Sequence, residues 1–184
     1  MAAMKGIVFT EFLDYVAETH DQDMVDDVVD DCQLPSGGAY TSVGTYDHAE
    51  LQALIAALAR RTGDKAPDIL RRFGRHLCCR FAEIFPHFFS RKTCLFDFLE
   101  SVDGYIHVEV KKLYPDAAFP SFHTHARDDA SLQFDYRSCR PLAALAEGLI
   151  LGASDYFREP VGVVQKRYED PDGGFVRFMI RHVP

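Results

Sequence analysis

In the first half of the chain, apolar residues recur three and four positions apart, which is the spacing of helices that bury one face. The pattern predicts helices over residues 9–19 and 23–32, with Thr10 as a candidate N-cap of the first. Asp47 followed by Glu50 resembles a capping box at the start of the next helix, where both side chains accept backbone hydrogen bonds.

Prolines bound the next two predicted helices. Pro67 suits the first turn of a helix that ends at Pro86. Residues 95–114 carry the apolar stripe of one further continuous helix, which ends at Pro115. The N-terminal half is therefore predicted to be helical.

The pattern changes after Pro115. Pro141 opens one more apolar helix, which reaches about Phe157. Four segments are predicted to be strands: 121–125, 132–137, 161–169 and 175–183. We therefore expect one α+β domain over residues 1–184, with a helical N-terminal half packed on an antiparallel sheet and a late helix.

Composition and charge exclude several classes of protein. Hydrophobic residues make up 47% and charged residues 26%, as in ordinary globular proteins. The net charge of −8, without a clustered basic face, makes nucleic acid a poor partner. No apolar run approaches the ~20 residues that span a bilayer. The first residues do not resemble a signal peptide, and five cysteines do not suggest a closed disulfide framework. We expect a cytoplasmic protein that does not bind membranes.

His107 is a candidate metal ligand in the predicted helix over 95–114. A lone helical histidine is usually an ordinary core or boundary residue. Gly104, however, lies one turn earlier on the same face, where glycine costs about 1 kcal/mol relative to alanine. Its missing side chain leaves room for a broad, flat group, and neutral imidazole is a common ligand of haem iron. The 15 phenylalanines fit either an aromatic core or an apolar pocket for such a group.

Tyr136, Ser138 and Arg140 form a second candidate site. Residues two apart in a strand point to the same side, so two hydroxyls and one guanidinium would face one way. Arginine can donate two parallel hydrogen bonds to a carboxylate, and hydroxyls can add more. The alternative is a polar strand face directed at solvent.

Together, the stretch from His107 to Leu113-Tyr114-Pro115 and the Tyr-x-Ser-x-Arg pattern resemble the haem–nitric oxide/oxygen-binding (H-NOX) family. The resemblance covers the chain from Met4-Lys5-Gly6 onward. It implies haem b (iron protoporphyrin IX) buried between the helical half and the sheet. It also implies the roles of five residues: His107 as proximal iron ligand, Tyr136, Ser138 and Arg140 as holders of the propionates, and Pro120 as the proline that distorts the haem.

The resemblance also indicates which gas the haem would bind. Family members that hold dioxygen carry a distal tyrosine supported by tryptophan and asparagine, and the matching positions here are Leu145, Phe12 and Leu77. Phe81 and Leu149 are expected to line the same side. None of these side chains can donate a hydrogen bond, which would be worth about 0.5–1.5 kcal/mol to bound dioxygen. The implied ligand is nitric oxide, with carbon monoxide as a weaker binder.

The resemblance implies signal transduction rather than catalysis. Nitric oxide would weaken the bond between the iron and His107, and the haem would relax against Pro120. A chain of this length is expected to act on a separate partner, either a histidine kinase or a cyclic-di-GMP enzyme. Two alternatives remain: a haem enzyme of the peroxidase or nitric oxide dioxygenase type, and a dioxygen or redox sensor. The enzymes generally need polar distal groups.

Other histidines and cysteines are weaker candidates. His123 and His125 would face one side of a strand, but solvent exposure is favoured over a metal pair. Cys78 and Cys79 are expected to be buried thiols. Some family members hold a structural zinc, and Cys139 matches one of its ligands. No cysteine follows it, so no zinc is predicted.

Overall fold

The computed structural model of the protein describes residues 3–114, 118–171 and 173–183. Its helical elements are α1 (Gly6–Thr19), α2 (Gln22–Asp30), α3 (His48–Thr62), α4 (Ala66–Ile84), α5 (Pro86–Phe89), α6 (Leu95–Ser101), a π segment (Val102–His107), α7 (Val108–Leu113) and α8 (Ala143–Phe157). Its strands are β1 (Ala3–Lys5), β2 (Thr45–Asp47), β3 (Ser121–Arg127), β4 (Ser131–Arg137), β5 (Val161–Tyr168) and β6 (Phe175–His182). The predicted α+β arrangement is confirmed. Pro115 lies outside the described residues, so its place at a helix end stays a prediction.

The first helix does not begin at its predicted cap, and the second is capped by an aspartate. α1 begins four residues before Thr10, whose hydroxyl donates to the carbonyl of Ile7 inside the helix at 3.1 Å. The prediction of Thr10 as an N-cap is therefore wrong. Asp21 caps α2 by accepting a hydrogen bond from the backbone N–H of Met24 at 2.8 Å.

Half of the predicted capping box is present at the start of α3. Asp47 accepts a hydrogen bond from the backbone N–H of Ala49 at 3.0 Å. Glu50 instead points inward and is buried, where it accepts hydrogen bonds from the hydroxyls of Tyr40, at 3.0 Å, and Ser36. The partners of Glu50 come from the preceding loop, so it fixes that loop rather than the helix start.

The predicted continuous helix over 95–114 is interrupted. α6 ends at Ser101, the π segment follows to His107, and α7 continues from Val108. A π-turn closes its hydrogen bonds over five residues instead of four and is frequent at functional sites. The prediction of a regular helix is thus wrong for the turn that ends on His107.

The four-stranded sheet is antiparallel, with strand order β3-β4-β6-β5. Its buried face carries alternate residues of β4, which lie opposite apolar residues of β6: Leu132, Phe134 and Tyr136 opposite Ile180, Phe178 and Val176. The register of β3 shifts between Thr124 and Ala126, so the regular alternation predicted for His123 and His125 is interrupted. The sequence did not predict the small antiparallel sheet of β1 and β2, whose strands have three residues each.

Buried apolar side chains form two clusters. The N-terminal cluster joins α1, α2, α3, most of α4 and the start of α8, and it includes Phe9, Phe12, Leu51, Leu54, Leu58, Phe73, Leu77 and Leu145. The C-terminal cluster joins the sheet to α5, α6 and the rest of α8, and it includes Phe89, Leu95, Leu132, Phe134, Ile150, Ala153, Phe178 and Ile180. α4 and α8 contribute to both clusters and therefore connect the two halves.

Three glycines let α4 and α8 approach backbone to backbone. A Cβ atom at Gly148 would overlap the carbonyl oxygen of Arg71 and lie 2.8 Å from the Cα of Gly74. A Cβ atom at Gly152 would lie 2.5 Å from the Cβ of Cys78. No described helix is both long and apolar enough to cross a membrane.

Candidate functional site

His107 ends the π segment with its ring largely buried, since 18% of the side chain is exposed. Its Nδ1 is buried and has no hydrogen-bond partner among the described residues. The Oδ1 of Asp103 lies 3.6 Å from this nitrogen, just beyond hydrogen-bond distance. Burial lowers the pKa of His107, and the opposing effect of Asp103 is smaller. The neutral imidazole, which is the form that binds metal ions, is therefore favoured.

Two aromatic rings hold the plane of the His107 imidazole. Phe119 stacks on it, with ring centroids 4.5 Å apart and an interplanar angle of 21°. Phe122 lies at 5.8 Å and is tilted by 37°. Phe119 precedes β3 and Phe122 lies within it, and the contribution of the two rings was not predicted from the sequence. Ring stacking across about 12 residues depends on the path of that chain, which leaves no local sequence signal.

Gly104 lies in the middle of the π segment and is exposed. A Cβ atom at this position would have no neighbour within 4 Å. The glycine is thus not required by a close approach of another element. Because Gly104 is exposed, the space beside it opens to solvent, and the room predicted there for a broad, flat group stays a prediction.

Arg140 is buried and bonded to backbone carbonyls. Its Nη1 donates to the carbonyl of Ala3 at 2.9 Å, and its Nη2 donates to the carbonyl of Ala118. Within the described ranges, no carboxylate forms an ion pair with this guanidinium. A buried cation whose acceptors are neutral retains the capacity to bind an anion.

Tyr136, Ser138 and Arg140 lie close together, although only Tyr136 is in a strand. β4 ends at Arg137, and Ser138 and Arg140 lie in the bend that follows. The backbone N–H of Arg140 donates to the Ser138 hydroxyl at 3.1 Å. Burial raises the pKa of Tyr136, while its hydrogen bond with Ser138 and the charge of Arg140 oppose this effect. A turn, not strand alternation, brings the three together.

Residues 118–122 connect the two candidate sites. Ala118 accepts the hydrogen bond from Arg140, and Phe119 stacks on His107. Phe122 contacts both His107 and Tyr136, with its ring centroid 5.5 Å from that of the tyrosine. Pro120, half-buried, lies between these contacts. The structure therefore brings His107, Pro120 and the Tyr-x-Ser-x-Arg pattern to one region.

The predicted distal residues lie in or beside the N-terminal cluster. Phe12, Leu77 and Leu145 are buried members of it. Phe81 and Leu149 are half-buried and pack against both clusters, so they mark the boundary between the two.

The remaining candidates are two cysteines of α4 and two histidines of β3. Cys78 is buried, and burial raises its pKa, but Cys79 is exposed, so the prediction of two buried thiols is wrong for Cys79. His123 and His125 are exposed in β3. Among the described residues, no three histidine, cysteine or acidic side chains are arranged to hold a metal ion together.

A family model described as haem-NO-binding matches residues 5–165 of this chain. The chain belongs to the H-NOX family. Among solved structures, the unliganded Fe(II) H-NOX protein from K. algicida is 32% identical, with a TM-score of 0.91 and coverage of 98% of this chain and 97% of that one. The H-NOX from Shewanella woodyi, solved with IWP-051 in the Fe(II)CO state, is 34% identical, with a TM-score of 0.83 and coverage of 98% and 95%. Curated proteins give no match.

A third structure agrees on the fold. The H-NOX protein from S. oneidensis in the Fe(II)NO state is 22% identical, with a TM-score of 0.89. The match covers 98% of this chain and 100% of that one. H-NOX domains bind haem and gases such as nitric oxide and carbon monoxide, and they are sensor domains rather than enzymes.

The residues of this H-NOX domain fit a haem. His107 offers a neutral, largely buried imidazole whose ring plane is held by two phenylalanines. Arg140 offers a buried guanidinium without a carboxylate partner in the described part of the chain. An iron ligand and an anion holder are two of the groups that a haem with two propionates requires.

Proposed function

We propose that this H-NOX domain binds one haem b through His107 and senses nitric oxide. The observation that carries the proposal is the buried His107 ring, held by Phe119 and Phe122 in a chain whose family binds haem. When bound, the haem would supply the iron that takes the gas. The chain supplies the ligand, the anion holders and the apolar surroundings.

Tyr136, Ser138 and Arg140 would hold the propionates. The buried guanidinium of Arg140 would exchange neutral carbonyl acceptors for carboxylates, and a charge-assisted bond is roughly twice as strong as a neutral one. The Ser138 hydroxyl already lies beside the Arg140 backbone. Pro120, which follows the stacked Phe119, would press on the haem ring.

The absence of hydrogen-bond donors would favour nitric oxide over dioxygen. Phe12, Leu77 and Leu145, with Phe81 and Leu149, have no side-chain donor. Among the polar neighbours of this cluster, Nε2 of His76 is buried without a hydrogen-bond partner in the described residues, and the His76 ring lies 5.3 Å from that of Tyr15. The Tyr15 ring lies 6.4 Å from that of Phe12 and 5.7 Å from that of Phe73. Glu11 is buried but paired with Arg80 at 2.9 Å.

The output of this sensor would be a separate protein in the cytoplasm. A histidine kinase and a cyclic-di-GMP enzyme are the candidates that the family suggests. We also propose that residues 1–184 form a single haem domain without zinc.

The test of the ligand compares two histidines of equal burial. His107 and His76 both lie on helical segments, with 18% and 19% of their side chains exposed. We expect His107→Ala to lose the haem absorption band and free imidazole to restore it, whereas His76→Ala keeps the band. Unchanged haem absorption in His107→Ala would refute the ligand assignment.

The test of the gas uses absorption spectra of the ferrous protein under argon, in air, with carbon monoxide and with nitric oxide. We expect changes with the last two and no stable dioxygen complex. A spectrum unaffected by nitric oxide would end the sensor proposal. A stable dioxygen complex would overturn the interpretation of the distal residues.

A further inference from the structure

Asp103 lies beside His107, on the same helical segment. Its Oδ1 lies 3.6 Å from Nδ1 of His107, one helical turn further along the chain. Its Oδ2 accepts a hydrogen bond from the backbone N–H of Phe122 at 3.4 Å. The carboxylate therefore lies between the segment that carries His107 and the start of β3.

Nδ1 of His107 has no other acceptor in the part of the chain that the structure describes. It is buried, and no hydrogen-bond partner is present among the residues described. If Nε2 binds iron, the neutral ring must carry its proton on Nδ1, and a buried N–H without an acceptor is unfavourable. A shift of about half an ångström would bring Asp103 within the 2.7–3.2 Å of a good hydrogen bond.

Resting on the proposed haem ligation, we propose that Asp103 is a positioning residue that accepts the Nδ1–H bond of His107 and strengthens the bond between Nε2 and iron. A metal-bound histidine generally donates its second N–H to a carboxylate, carbonyl or water, which fixes the tautomer and raises ligand basicity. Asp103 also contacts β3 through Phe122, so it would fix the ring relative to the sheet. The charge on Asp103 would oppose release of His107 from the iron.

The haem-loaded test measures the iron–histidine stretching vibration by resonance Raman in Asp103→Asn and Asp103→Ala. We expect the frequency to fall in the order wild type, Asn, Ala, because asparagine keeps an acceptor but loses the charge. Haem affinity is expected to fall about 10–100-fold in Asp103→Ala, the usual effect of removing a partner of a metal ligand. Glu109→Gln is the matched control. Its side chain is 37% exposed, against 40% for Asp103, but it pairs with Lys112 at 2.6 Å.

A second measurement needs no haem. In the haem-free protein, ¹⁵N NMR of the His107 ring is expected to show the proton on Nδ1 in the wild type and a mixture of tautomers in Asp103→Ala. Asp103→Asn covers the case in which Asp103→Ala does not fold. The proposed role of Asp103 is refuted if both the iron–histidine vibration and the His107 tautomer are unchanged in Asp103→Asn. The haem ligation itself is refuted by a different result, a wild-type haem band in His107→Ala.

Discussion

The contact between α4 and α8 makes a quantitative prediction for Gly148→Ala. Replacing a helical glycine by alanine normally stabilises a protein by about 1 kcal/mol. Here the new methyl group would overlap the carbonyl oxygen of Arg71 and lie 2.8 Å from the Cα of Gly74, so two backbones must separate. Overpacking of this kind costs about 1–3 kcal/mol, and more when backbone has to move.

We therefore expect a net loss of about 2 kcal/mol in the free energy of unfolding for Gly148→Ala. For a chain of this size that lowers Tm by about 4–8 °C, measured by circular dichroism on the haem-loaded protein. Gly162→Ala is the control, because its methyl group would meet only the side chain of Val183 at 3.6 Å. If Gly148→Ala has an unchanged or higher Tm, α4 and α8 do not pack as closely as described.

Two further substitutions test the gas pocket and the sheet. Leu145→Tyr should slow dioxygen loss from the ferrous protein by up to about tenfold relative to Leu145→Phe, because only tyrosine adds a hydrogen-bond donor. The rates are measured by stopped flow. Equal rates in the two variants would place residue 145 away from the gas. Asp135 and Arg177 are joined by hydrogen bonds of 2.6 and 2.9 Å, which lower the pKa of Asp135 below its ordinary value of 3.8. This pair should stabilise the fold above pH 3.8 and lose its effect as the pH falls through the lowered pKa, so Asp135→Asn should reduce Tm at neutral pH but not in strong acid.

The order of helices and strands was predictable because the burial pattern repeats along each element. The π segment was not, since one extra residue per turn barely changes an apolar stripe over so short a stretch. Glu50 shows a second limit. Its spacing from Asp47 satisfied a local rule, but Ser36 and Tyr40 in the preceding loop compete for the same carboxylate. Local patterns do not record such tertiary competition.

The candidate site was predictable where chemistry is carried by residue type. His107 was found as an imidazole in an apolar helix, and Arg140 as part of the Tyr-x-Ser-x-Arg pattern. Phe119 and Phe122 were missed because phenylalanine is common in this chain and only the path of residues 118–122 brings them to the histidine. Asp103 could have been found, because a carboxylate four residues before a helical ligand lies on the same face.

The hydrogen bond from Arg140 to the carbonyl of Ala3 has a practical consequence for handling the protein. The first strand is also held through Lys5. Its Nζ donates a hydrogen bond to the hydroxyl of Thr45 at 2.8 Å and lies 4.4 Å from the centre of the Tyr114 ring. Purification tags or fluorescent fusions joined directly to this strand would sit beside the guanidinium proposed to hold the propionates. A ligand-binding defect in such a preparation would therefore reflect the attachment, and comparisons of variants are best made with untagged protein.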